Sequence, residues 1–567
     1  MAAPVNFGSP SPESPAMVTL LFVLLALVPS LAAGQESTPQ HRVDSIFADV
    51  AGPTSPGCAL SVMRDGAPIY ERGYGMANLS YGIPITPSSV FHVASVSKHF
   101  TAMAVELLVD EGKVSWDDDI REYVPEVPDF GQTITLRHLV HHTSGIRDQW
   151  SLLSMAGWRW EADVVTQKDV LEVTALQTAL NFAPGEQYLY SNTGFTLLAV
   201  VAERVTGKTL REFTTERLFE PLGMDQTHFH DDHQMLVRNR AWAYEPDEDG
   251  LWGWRNSIPD FDVVGATSLF TTAHDMAAWD RNFYTGQVGG ASALERLRDR
   301  FVLNSGDTID YAHGLSLGRY RGLRTEGHGG ADAGYRSNFL RFPDQALSIA
   351  VLCNFPSADP GGRARRVAEV YLGDAMEAEA EDDSPRSDVS SEPSVQLSES
   401  ELQALAGYYR DGNGRLLARL IVRGDTLAFD GGPSLRPLGN GRFEVLGFGE
   451  VVTFQEEGEG VHLLEGVDGL EARQTPEWQP EAGELGRHAG VYTSEELGTE
   501  YRFAVEEGRL WFHHRKLASR ALEPVWEGAF RMGGNVLEFE YDPAGRPTGF
   551  TISSGRVWSV RFAAVER

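Results

Sequence analysis

Two kinds of apolar spacing alternate along this chain. Phe100, Met103, Leu107 and Leu108 recur at helical intervals and Gly112 closes the run, so a helix is predicted from Ser95 to that glycine. Leu197-Leu198-Ala199-Val200-Val201 predicts a second helix, and Arg363 to Met376 reads as a third. Short extended runs stand apart from these: Cys58-Ala59-Leu60-Ser61-Val62, Val90-Phe91-His92-Val93 and Leu347-Ser348-Ile349-Ala350-Val351-Leu352-Cys353. One apolar stretch differs from all of them. Val18 to Leu31 is short for a membrane span and is followed by Ala32-Ala33-Gly34, so residues 1–34 read as a secretory signal cleaved near Gly34. The product is expected to be secreted or periplasmic, with no stable membrane insertion after cleavage.

After Met376 the pattern changes. Residues 377–400 are acidic and serine-rich, a composition that cannot bury a core, and they read as a flexible linker. Beyond it lies a repeat. Ala406-Gly407-Tyr408-Tyr409 matches Ala489-Gly490-Val491-Tyr492, and Leu435-Arg436-Pro437-Leu438 matches Leu522-Glu523-Pro524-Val525. Alternating runs such as Tyr501-Arg502-Phe503-Ala504-Val505, separated by glycine, aspartate and proline turns, predict two small antiparallel barrels of lipocalin-like shape, at 401–478 and 484–567. Neither repeat shows a catalytic constellation. A chain ending near Met376 is therefore expected to fold by itself.

Length and charge narrow the picture. At 567 residues the chain exceeds one core, and a formal net charge of -32 argues against nucleic acid or an anionic membrane surface as partner. The two cysteines, Cys58 and Cys353, form no C-x-x-C, which excludes thioredoxin-type and zinc-ribbon readings.

The chemistry gathers in three motifs. Ser95-Val96-Ser97-Lys98 opens the first predicted helix, so the serine and the lysine share a face, and a partly desolvated lysine can activate a serine. Tyr190-Ser191-Asn192 precedes the second helix, and His328-Gly329-Gly330 ends an extended segment. In this order, S-x-x-K, Y-x-N and H-x-G resemble the serine β-lactamase and penicillin-binding-protein superfamily, within the branch of class C β-lactamases, D-aminopeptidases and related esterases. Leu139-Val140-His141-His142-Thr143-Ser144-Gly145-Ile146, Pro221-Leu222-Gly223-Met224 and Gly265-Ala266-Thr267-Ser268-Leu269-Phe270 fit the same branch.

The resemblance implies an α+β, β-lactamase-like domain over 38–376, an antiparallel sheet flanked by helices with a helical subdomain, followed by the two barrels. It implies that Ser95 is the nucleophile and that Lys98 or Tyr190 takes its proton. A tyrosine base needs a pKa well below its usual ~10, which Lys98 would provide. The backbone N–H groups of Ser95 and Ala331 would form the oxyanion hole. Asn192 would hold the substrate amide or orient Lys98, while His328, Gly329 and Gly330 would bind the substrate or leaving group. A small molecule or peptide is the expected partner, with no cofactor.

β-Lactamases usually carry a lysine where this chain has His328. A histidine is only partly charged at pH 7 yet still donates a hydrogen bond, which favours the D-aminopeptidase and esterase side. A class C-like β-lactamase, a D-Ala-D-Ala carboxypeptidase and a non-catalytic binding or sensing protein on the same fold stand as alternatives. In the resembled fold the strands holding Cys58 and Cys353 are neighbours, which allows a bridge in an oxidising compartment and places the two alpha carbons within about 7 Å; two buried thiols are the other reading. His228 and His230 share a strand face and could ligate zinc. The adopted reading there is a polar loop, with no metal. His141-His142 and His513-His514 are read as structural, and Trp150, Trp158 and Trp160 as packing or as an aromatic wall for an apolar acyl group.

Overall fold

The computed structural model describes residues 38–160, 162–377, 394–411, 416–430, 432–446, 450–458, 461–465 and 471–565. The expected signal and most of the expected linker lie outside the described residues. Among those described, no helix is long and apolar enough to cross a membrane.

The first region is an α+β domain on a six-stranded antiparallel sheet. Its strands are β1 (Cys58–Arg64), β2 (Ala67–Tyr74), β3 (Ser316–Tyr320), β4 (Leu323–Asp332), β5 (Tyr335–Phe342) and β6 (Leu347–Cys353), in the order β3-β4-β5-β6-β1-β2. Alternation along β6 serves two helical layers. Leu347, Ile349, Val351 and Cys353 pack with helices α1 (Pro39–Ile46) and α5 (Pro360–Leu372). Ala350 and Leu352 face the opposite core, built around α2 (Ser97–Asp110) and α4 (Asn192–Thr206). Burial on both faces explains why β6 reads as an apolar run broken only by Ser348. Helix α2 runs through the protein interior: every residue from Ser97 to Leu108 is buried.

β1 and β6 pair antiparallel with Cys58 directly opposite Cys353, at a Cα–Cα distance of 4.1 Å, and the two sulfurs are bonded. The proximity expected of the two cysteines is met, and the bridge ties the start of β1 to the end of β6 inside the sheet.

The tail holds two barrels. Strands from Gly407 to Thr475 close an eight-stranded barrel, and those from Gly490 to Ala564 form a nine-stranded sheet that curls without closing. The repeat has a structural signature. Tyr409 donates to Leu405 O at 2.8 Å and Tyr492 to His488 O at 3.1 Å, each reaching back four residues to the turn of helix before its barrel. One of those helices, Glu399–Leu405, starts inside the stretch read as linker. Ser398 caps it, accepting from Glu401 N while Glu401 Oε2 accepts from Ser398 N at 2.7 Å, the reciprocal pair of a capping box.

The second barrel is less separable than the sequence implies. Its interior, including Tyr501, Phe512 and Phe562, is continuous with Leu152, Leu153, Met155, Val165 and Val170 of the helical subdomain. Arg147 and Glu496 form an ion pair across this seam at 2.5 Å, with both side chains buried. Alternation alone gives the inward face of a barrel strand, and it does not reveal that the barrel's own core opens onto another domain.

Candidate active site

Ser95 sits in a 3₁₀ turn, Ala94–Val96, and α2 begins only at Ser97. The helix predicted from Ser95 therefore starts two residues later, because Ser97 does the local bonding: its Oγ donates to Ala94 O at 2.5 Å and accepts from Leu269 N at 2.9 Å. Ala94 is held at φ 47°, a left-handed conformation that costs a non-glycine residue about 1 kcal/mol or more. The turn thrusts Ser95 out of the helix, into the cleft.

Lys98 is wholly buried, and its Nζ meets three oxygens: Ser95 Oγ at 3.0 Å, Asn192 Oδ1 at 2.9 Å and Ala266 O at 2.8 Å. Two of these can only accept. A neutral amine has two N–H bonds and one lone pair, so it can donate to Asn192 and Ala266 and accept from the Ser95 hydroxyl. Burial pushes the Lys98 amine well below its usual pKa; the Asp148 carboxylate pulls it back and the Arg556 guanidinium pushes it further down. Both the geometry and the electrostatics fit Lys98 as the base.

Tyr190 also hydrogen-bonds Ser95, but burial raises its pKa, only partly opposed by that bond and by Arg556. The low-pKa tyrosine allowed by the sequence is not what this environment makes; Tyr190 is a phenol that can pass a proton. Lys98 Nζ lies 4.7 Å from the Tyr190 ring centroid. Beneath the ring is His142, with centroids 4.2 Å apart, whose Nδ1 accepts from Ser191 N at 3.2 Å. His142 thus belongs to the floor of the site. His141 instead bonds the Arg137 and Asp299 carbonyls and is structural.

Asn192 is oriented by a residue that the motifs do not reveal. Its Nδ2 and its backbone N both donate to Asp148 Oδ2 at 2.8 Å, which fixes the amide with Oδ1 toward Lys98. Asp148 is buried and its other oxygen caps helix α3 (Gln149–Met155) through Trp150 N and Ser151 N. Of the two roles expected for Asn192, orienting Lys98 is the one its bonds serve.

The third motif lies on β4, where the chain runs hard against the segment before the nucleophile. A Cβ on Gly330 would meet Val93 O at 2.2 Å and Ser337 Oγ at 2.3 Å, so only glycine fits. His328 is placed as expected but its role differs. Nδ1 lies 2.5 Å from Gly329 O, which can only accept, so Nδ1 carries the hydrogen and Nε2 accepts from Tyr311 O–H at 3.0 Å. Burial first, then Lys98, pushes its pKa down to about 4. It is neutral at pH 7 with both nitrogens engaged, so it shapes the cleft without offering a charge or a free donor. Tyr311, which no motif flags, closes that arrangement.

The cleft has a volume of about 1140 Å³ and is lined by Ser95, Tyr190, Asn192 and the strand His328–Ala331. Trp150, Trp160 and Phe261 form an aromatic wall there, with Trp150 at 5.5 Å from Trp160 and 5.1 Å from Phe261 between centroids. Trp158 packs toward the second barrel instead. His228 and His230 do share a face, 3.4 Å apart at Nε2 and Nδ1, and burial pushes them down to about 4 and about 3. Among the described residues, one group brings metal-ligating atoms together: Asp232, His233 and Asp262. There His233 already bonds Asp262 through its backbone N and through Nδ1 at 2.9 Å.

The depressed Lys98 gives a pH prediction. A lysine base works only when neutral, so kcat/KM on a neutral ester should reach its plateau at a pH well below the usual lysine range and fall about tenfold per pH unit on the acid side of that plateau. A rise continuing toward pH 10 would show an ordinary lysine and contradict the assignment.

A family model described as Beta-lactamase matches residues 43–372. The chain is similar to a D-aminopeptidase of Gluconobacter oxydans (strain 621H), 29% identical over 304 residues, covering 53% of this chain and 56% of that protein. The chain thus spans little more than half the length of that relative. A D-aminopeptidase of Cereibacter sphaeroides (strain ATCC 17023) is 26% identical over 463 residues, covering 80% of this chain and 82% of its own length, so that likeness extends into the barrels. Among solved structures, the octameric penicillin-binding protein homologue from Pyrococcus abyssi matches with a TM-score of 0.53 at 20% identity, covering 84% of this chain and 98% of that one, a likeness of fold.

Proposed function

The chain belongs to the Beta-lactamase family, and on that premise we propose that it is a serine hydrolase cleaving amide bonds of D-amino-acid peptides, or esters, through an acyl-enzyme on Ser95. The observation that carries this reading is the Lys98 amine, buried and held by Asn192 Oδ1 and Ala266 O with its remaining valence on Ser95 Oγ at 3.0 Å. As Oγ attacks the carbonyl carbon, its proton passes to Lys98. The carbonyl oxygen becomes an oxyanion facing the backbone N–H groups of Ser95 and Ala331. Collapse expels the amine or alkoxide, which takes its proton from Lys98 through the Tyr190 hydroxyl. Water then attacks the ester, losing its proton by the reverse relay, and frees the acid and Ser95.

Two D-aminopeptidases among the relatives favour the amide reading. The neutral, fully bonded His328 disfavours a β-lactamase that relies on a fixed cation at this point. A non-catalytic reading is disfavoured by the intact base, a buried lysine amine with a depressed pKa lying 3.0 Å from the serine hydroxyl it would activate. Export fits the apolar stretch Val18 to Leu31 and the bonded cysteines. A panel of p-nitrophenyl esters, D-amino-acid p-nitroanilides and their L-counterparts tests the reading. Turnover of esters and of D- over L-anilides is expected; no turnover of any, with the protein folded, would favour a binding protein.

A further inference from the structure

The cleft holds one residue from the far end of the chain. Strands β7 (Pro547–Ser554) and β8 (Val557–Ala564) of the second barrel form a hairpin whose tip, Gly555-Arg556, reaches the catalytic side chains. The Arg556 guanidinium carbon lies 4.8 Å from the centroid of the same Tyr190 ring that Lys98 approaches. This tip is clamped. Arg556 O accepts from Asn181 Nδ2 at 3.0 Å and from Asp148 N at 3.4 Å, Asn181 Oδ1 accepts from Trp558 N at 2.9 Å, and Arg147 Nη2 donates to Trp558 O at 2.8 Å. The hairpin is therefore docked on the residue that orients Asn192.

Other arginines in the cleft have protein partners: Arg255 pairs with Glu245, Arg336 donates to the Ala333 and Tyr335 carbonyls, and Arg240 lies over Phe270 and donates to the Tyr335 hydroxyl, while Asp332 bonds His92 and Thr267. Among the described residues the Arg556 guanidinium has no carboxylate partner, and the residue is exposed. A fixed, planar cation aimed into a cleft matches a carboxylate and repels an ammonium group. Its place beside Tyr190, the phenol that hands a proton to the departing atom, puts it on the leaving-group side of the scissile bond.

We propose that Arg556 is a specificity-determining residue that binds a carboxylate on the leaving group, so that this site selects substrates cleaved next to a free carboxylate. The inference rests on the Ser95 acyl-enzyme reading. It makes the second barrel part of the active site, supplying the cation that His328 lacks.

The test uses matched pairs of thioesters of D-alanine and of N-acetyl-D-alanine, one member of each pair with thioglycolate as leaving group and one with thioglycolamide, followed by thiol release. With and without the free amine, the pairs suit a peptidase or an esterase. The full chain should prefer the carboxylate by about ten- to a hundredfold in kcat/KM. Arg556→Gln should bring the ratio near one, largely through KM for the thioglycolate, and Arg556→Lys should restore part of it. Equal turnover of both members of the better-cleaved pair by the unaltered chain, or equal loss on both in Arg556→Gln, would overturn the proposal. No turnover of any thioester would overturn the Ser95 reading itself, a result distinct from turnover without discrimination.

Discussion

Replacing Ser95 by alanine is expected to lower kcat/KM by about 10⁶-fold on every substrate the protein turns over, the scale seen when a nucleophile that acts as one unit with its base is removed. No neighbouring hydroxyl can stand in. Ser97 is two residues away, but its Oγ is committed to Ala94 O and Leu269 N. Asn192 Oδ1 and Ala266 O would still hold Lys98 in the variant, so the base would persist without a nucleophile. Stability should change little, because Ser95 is only partly buried and lies outside the hydrophobic core. A folded variant retaining more than about 1% activity, against the ~10⁶ expected, would move the chemistry elsewhere.

The second large effect concerns the seam between the domains. Glu496→Ala would leave Arg147, 3% exposed, facing an uncompensated interior. Glu496 Oε2 also accepts from Thr178 N at 3.1 Å, and Oε1 from Arg561 N at 3.3 Å, so those donors lose their partner too. Stranding one member of a buried pair typically costs about 3–5 kcal/mol, a large part of a typical net stability of about 5–15 kcal/mol. The variant should unfold at markedly lower urea. Arg147→Met combined with Glu496→Leu should recover much of the loss, since an apolar pair of similar size removes the stranded charge. By the same reasoning a chain ending at Met376 should be insoluble or unfolded, contrary to the separable tail read from the sequence. It would expose Leu152, Leu153 and Met155 together with Arg147. A soluble, cooperatively folding truncation, or a Glu496→Ala variant as stable as the parent, would show that the seam is incidental.

Much of the site was legible because its chemistry sits in short motifs. A serine and a lysine three apart, a tyrosine and an asparagine two apart, and a glycine squeezed by a neighbouring strand are local requirements, so they leave local marks. Strands of the sheet were legible through their apolar runs, and the meeting of the cysteines through the strand pairing that the family resemblance implies. What was hidden depends on distant partners. Asp148 belongs to none of the three motifs, and its hold on Asn192 appears only when two helices meet. Tyr311 carries no motif, though its bond settles the state of His328. Arg556 sits in a Ser-Gly-Arg turn whose place at the cleft appears only once the barrel is docked. The role expected of His328 as a partly charged donor failed for the same reason, since burial is set by its surroundings and not by its identity.

The central claim is that a neutral Lys98 makes Ser95 the group that carries the acyl chain. Acid-quenching the protein during turnover of an activated ester, then mapping the peptides by mass spectrometry, tests it most directly. The account predicts one acyl adduct, on the peptide containing Ser95, present at pH 7 and absent in both Ser95→Ala and Lys98→Met. An adduct that persists in Ser95→Ala, or that maps to Tyr190 or any other residue, would contradict it.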